Sequence, residues 1–199
     1  NEHALGGNIV DLRGIAMRRL EERLDRLEET HRSVIAAAYE NLAGTNIVHR
    51  AVLRLLEPAD FPGFLDTLRG PVAEALRVDS LRLAIETAGD DPGAEDIDAI
   101  LRAVPAGFVA RYMGAGRPGA PLRAVVLRQA VPPDDAVHGD RAADIRSEAL
   151  LRLDFGEGRL PGMLALGAED PHQFRPGQGT DLLAFLGAVF ERMMRRWLA

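Results

Sequence analysis

The chain has 199 residues, of which 47% are hydrophobic and 27% charged, with a formal net charge of −6. That is enough apolar material for one ordinary domain plus an accessory element, and it excludes wholesale disorder. An acidic surface repels phosphate backbones, which argues against nucleic acid as a partner.

Two absences close whole chemistries. No cysteine occurs, so disulfides, thiolate nucleophiles and thiolate metal sites are out. Every Lys/Arg position is arginine, which removes Schiff-base catalysis, a pyridoxal-phosphate anchor and the P-loop lysine. No apolar run reaches the ~20 residues of a membrane span, and no signal-peptide core is visible. The expectation is a cytoplasmic protein with no membrane partner. Because the chain opens on Asn1 rather than Met, residues are expected before it.

The first long element is expected from about Ile9 to Leu56. Met17, Leu20, Leu24, Leu27, His31, Val34 and Ala38 recur in alternating steps of three and four, followed by Val48, Val52 and Leu55. That spacing draws a narrow coiled-coil seam, so residues 1–57 are read as a helical segment that forms a homodimer. Charged residues fill the outer face, with Glu22 and Arg26 in the favourable i,i+4 order. His31 is read as a tolerated polar seam residue, and Gly44 as a kink or a break between two helices.

Residues 58–199 are read as one α+β domain. Pro58 ends the first helix; Asp60 caps a second with Pro62 in its first turn and Pro71 as a kink or a stop. Leu81, Leu83 and Ile85 alternate with polar or small residues in a half-buried strand. Gly89 to Gly93 is a turn cluster. Residues 95–104 read as a short helix with Ile97, Ile100, Leu101 and Val104 on one side, and 105–113 as a second helix or irregular segment. Strands are expected over 122–128, 145–155 and 159–167, the last two joined by a Gly156–Gly158 turn. A polar loop is expected through Val131–Asp135 and His138–Asp140. An amphipathic helix closes the chain from Thr180 to about Trp197.

Several sites were weighed on chemistry. The histidines lack the close spacing of a helical metal pair, so no metal is expected. Ser147 sits in Arg-Ser-Glu rather than a nucleophile elbow, which makes it structural. Arg146, Glu148 and Arg152 project to one face of their strand, as either a solvated face or the floor of a cavity. With Arg111, Tyr112, Met113 and Arg123 or Arg128 nearby, such a floor suits a small organic anion held by forked hydrogen bonds.

The C-terminal third, Ile145–Leu153, Gly158–Leu166, Phe174 and the helix from Thr180, resembles a GAF domain. The combination Asp170-Pro171, Phe174, Pro176-Gly177 and Gly179-Thr180 is similar to the proteobacterial family of unknown function DUF484, over about residues 9–199. One departure is Arg152, where GAF domains commonly carry proline. The resemblance implies an antiparallel GAF-like sheet flanked by helices behind a long helix, with a non-enzymatic sensory or regulatory role. The missing cysteine and lysine close sulfoxide reduction, bilin attachment and the cyclic-nucleotide signature, so no cofactor is expected. In that family the gene often neighbours one for a tyrosine recombinase, implying a recombinase-related protein partner. The alternative is a ligandless structural adaptor.

Overall fold

The computed structural model describes residues 3–88, 95–115, 117, 119, 121–130 and 137–197. The expected turn at Gly89–Gly93 and loop at Val131–Asp135 lie outside them, the latter with its neighbour Ala136. The chain divides into two compact units, Asn1–Gly44 and Thr45–Ala199.

Helix α1 spans His3–Leu56. It continues through Gly44, since one glycine costs only ~1 kcal/mol against a helix of 54 residues. Within the first unit, Met17, Leu20, Leu24, Leu27 and Val34 are all more than half exposed. His31 and Ala38 are exposed as well. In the second unit the periodic stripe has a different fate. Val48 and Leu55 are buried, together with Ala51, in the core that holds Phe64, Leu68 and Phe190. They belong to the domain core rather than to a continuing seam.

Asp60 caps α2 (Phe61–Thr67), its carboxylate accepting from the Gly63 N–H at 2.8 Å. The expected kink at Pro71 takes the form of a π-type turn over Leu68–Val72. A wider turn absorbs the missing proline N–H without ending the helical path. It continues as α3 (Ala73–Leu76), which ends on Arg77 in the left-handed conformation at φ 56°. The Val78 N–H then closes on the Ala73 carbonyl at 3.1 Å.

Six strands follow: β1 (Ser80–Thr87), β2 (Glu95–Asp96), β3 (Leu101–Pro105), β4 (Val125–Gln129), β5 (Ser147–Leu153) and β6 (Gly162–Ala168), with α4 (Phe108–Met113) after β3 and α5 (Asp181–Trp197) last. The sheet order is β2-β3-β1-β6-β5-β4. It is mixed rather than antiparallel throughout. The chain reverses at β2 before entering β3, so β3 runs parallel to β1, with Leu83 opposite Leu101. Residues 95–104 are therefore not a helix. Their apolar spacing fits both periods, and pairing with β1 decides the outcome while leaving Ile97 at the surface.

Period-two alternation places Leu83, Leu151 and Leu164 in one core with α2, α3 and α5. Ala84, Leu150 and Met163 lie in a second core with Phe108, Val109 and Met113 of α4. The architecture is α+β, with helices on both faces of the sheet.

Candidate functional site

β1 is not the half-buried strand its alternation suggests, because its polar positions are covered too. Ser80, Arg82 and Glu86 are all buried, as are His138 and Glu148. Buried polar groups must be paired, and each of these is.

Glu148 is the hub, 1% exposed. Its Oε1 accepts from Arg128 Nε at 2.6 Å, and its Oε2 lies 3.1 Å from both Tyr112 Oη and His138 Nε2. An ionised carboxylate only accepts, so His138 carries its hydrogen on Nε2. Its Nδ1 is 2.8 Å from Ser80 Oγ, and in the neutral ring that nitrogen accepts from the hydroxyl. The chain Ser80–His138–Glu148 contains the residue types of a hydrolase triad. All three side chains are buried, at 8%, 5% and 1% exposure, so the serine hydroxyl lies within the fold rather than at an open surface. The arrangement locks the turn at Gly139–Arg141 to the sheet.

Two further contacts complete the cover of this face. Arg82 donates to the carbonyls of Val137 (3.1 Å) and Ala99 and to Asp96 Oδ1 (2.6 Å). Glu86 accepts the N–H groups of Gly107 and Val109, each at 2.9 Å, and so caps α4 from a neighbouring strand. The Arg128 guanidinium lies 4.7 Å from the Tyr112 ring centre, and Tyr112 stacks on Phe108 at 5.6 Å. Arg128 Nη1 also donates to the Tyr112 carbonyl at 2.8 Å.

Burial alone would raise the Glu148 carboxyl, but the His138 hydrogen bond and the Arg128 charge outweigh it and hold the group below its ordinary range. Burial and the adjacent Glu148 charge push the Tyr112 phenol up.

The residues singled out from sequence do not all come together. Tyr112, Arg128 and Glu148 meet in the network, so the expected cavity floor is occupied by the chain's own side chains, with Met113 buried beside it. Arg111 lies over the Phe108 ring at 5.4 Å. Arg146 is exposed and Arg152 half-buried. Arg123 lines two neighbouring surface grooves: one with Met113, Arg117 and Arg128, the other along β4 with the Pro176–Gln178 loop. Ser147 is structural, donating to the Asp170 carbonyl at 2.6 Å and seating the loop that buries Phe174.

Sequence reading missed Ser80, Arg82, Glu86 and His138. The three on β1 stand at alternating positions of a strand taken to be open on that side. His138 falls in a segment read only as polar loop. Among the described residues, no group of three His, Asp or Glu is placed to hold a metal, and no helix is long and apolar enough to cross a membrane.

The family model for the protein of unknown function DUF484 matches residues 3–199. No curated protein matches the chain.

Proposed function

The chain belongs to the DUF484 family of proteins of unknown function, and we propose that it acts as a non-enzymatic, cytoplasmic regulatory module working through protein contacts. In this reading α1 pairs with the same helix of a second copy, and the GAF-like α+β domain serves as an adaptor body. The observation that carries it is the stripe Met17, Leu20, Leu24, Leu27 and Val34, with every member more than half exposed. A two-turn repeat of large apolar side chains with charged flanks is self-complementary, and a second copy offers the matching stripe. Light scattering of the full chain tests it against the Leu20→Glu/Leu24→Glu variant. The native chain should have the mass of a dimer and the variant that of a monomer; equal masses would refute the pairing.

A second reading is favoured by the groove lined by Met113, Arg117, Arg123 and Arg128. The guanidinium groups of Arg117 and Arg123 beside an apolar floor, with Arg128 held by Glu148, suit a small organic anion. A thermal-shift panel of dicarboxylates and nucleotides tests it. A ligand at 100-fold its dissociation constant should stabilise the chain by ~2.7 kcal/mol.

A further inference from the structure

The two ends of the sheet are finished differently. One edge, β2, consists only of Glu95 and Asp96. The other, β4, runs five residues from Val125 to Gln129. Arg152 N–H bonds the Ala124 carbonyl at 2.8 Å and Ala130 N–H bonds the Arg146 carbonyl at 2.9 Å. In an antiparallel pair, even-numbered residues of β4 therefore face β5, while Val125, Leu127 and Gln129 turn their backbone N–H and C=O groups outward. No backbone partner for those groups occurs among the described residues.

Alongside this edge lies the groove between β4 and the Pro176–Gln178 loop, backed by Ala184 of α5. It adjoins the second groove through Arg123 and Val126. Of the cations lining the two, Arg128 is held by Glu148 while Arg117 and Arg123 remain, and among the described residues neither groove is lined by a carboxylate. In a chain of net charge −6, that is a local reversal of sign. Arg117 and Arg123 have no side-chain partner among the described residues.

We propose that the β4 edge docks an extended acidic segment of a partner protein, added as a seventh strand. Its backbone pairs with Val125, Leu127 and Gln129, and its carboxylates meet Arg123 and Arg117. Main-chain pairing supplies affinity, and the arginines select against neutral or basic strands. A charged edge can instead serve only to block self-association, but the groove beside β4 leaves room that blocking does not require. This inference deepens the adaptor reading by naming the class of partner. Peptide binding is read separately from chain mass, so either reading can fail alone.

The test uses a fluorescein-labelled peptide of alternating valine and threonine ending in three glutamates, titrated into the full chain and followed by anisotropy. A second peptide of the same sequence carries N-methyl groups on alternate amides, which leaves its charge intact and removes one edge of its ladder. The expected result is saturable binding of the first peptide and at least a tenfold loss for the N-methylated one. A similar loss is expected with Arg123→Glu, a change at an exposed side chain without partners among the described residues. Amide exchange at Val125, Leu127 and Gln129 should slow on binding. Four outcomes overturn the proposal. One is no binding at about millimolar peptide. Another is equal binding of both peptides. A third is equal occupancy by free glutarate, which would return the groove to the small-anion reading. The last is slow, concentration-dependent exchange at the three amides without peptide, which would make the occupant a second copy.

Discussion

Arg128 and Glu148 stand directly opposite each other on adjacent strands, and Nε of the first lies 2.6 Å from Oε1 of the second. The cross-strand pair is the hinge of the polar face, since the same carboxylate also meets Tyr112 and His138. Through these contacts β5 holds α4 and the turn at Gly139–Arg141, elements that are separated in sequence by the Gly114–Ala136 stretch.

A buried ion pair costs desolvation on both sides, so its worth appears when one partner is removed. Glu148→Leu should destabilise the chain by about 3–5 kcal/mol, because it leaves the guanidinium uncompensated and two further donors unpaired. Arg128→Met alone should also be costly. The double variant Arg128→Met/Glu148→Leu should recover part of the loss, since an apolar pair can replace a buried ionic one. Urea unfolding of the four proteins as a double-mutant cycle reads the coupling. Additive losses would show that the two residues act independently.

The folded-state shift of Glu148 is downward, so ionised carboxylate is favoured in the native chain over the unfolded one. Its contribution is fully present above the ordinary carboxylate range and is lost as pH falls through the lower folded value. Melting temperature should therefore drop below pH ~4.5 more steeply in the native protein than in Glu148→Gln. Tyr112 has the opposite sign. Its raised folded value gives stability that is present below pH ~10 and declines above it as the unfolded phenol ionises. Tyr112→Phe should flatten that alkaline limb. Parallel curves for variant and native protein at either extreme would contradict the assignment.

Sequence pattern was a good guide wherever a side chain had one plausible neighbour. The α5 face of Leu186, Phe190 and Met193 is buried as its spacing requires, and Gly156 and Gly158, both at positive φ, make the expected turn between β5 and β6. Pattern failed where a second layer changed the meaning of polarity. Ser80, Arg82 and Glu86 alternate with apolar residues as solvent-facing residues would, and nothing local announces that the Val137–Arg141 turn will cover the first two and α4 the third. His138 finds Ser80 across 58 residues of chain and Glu148 across ten. Only the closed sheet creates that proximity. The parallel entry of β3 was equally hidden, since it depends on the reversal at β2 rather than on any residue within β3.

Gly162 opens β6 where the sheet leaves no room for a side chain. A Cβ there would fall 2.7 Å from the Phe155 ring and 3.0 Å from the Ala84 carbonyl. The ring belongs to a buried core residue and the carbonyl to the adjacent strand, so neither yields easily. Gly162→Ala should cost about 1–3 kcal/mol, measured as a lower urea midpoint at unchanged slope. Pairing it with Phe155→Leu should relieve part of the clash. A Gly162→Ala protein as stable as the native one would mean the strand shifts freely at that end.

The exposed stripe of α1 gives the most direct test of how the chain is used. Leu24 is 57% and Leu27 62% exposed, and each buried leucine is worth roughly 1.5–3 kcal/mol when removed from water. If a second copy covers them, Leu24→Ala should weaken association by at least tenfold, read as a shift in the concentration at which the dimer forms in sedimentation equilibrium. His31 lies on the same stripe and is exposed, so His31→Leu should tighten pairing by replacing a polar seam residue with an apolar one. The α+β domain should be indifferent to both changes, because among the described residues its core draws on α1 from Ile47 onward. A domain that melts earlier in Leu24→Ala at concentrations where the chain is monomeric would place that leucine against its own fold instead.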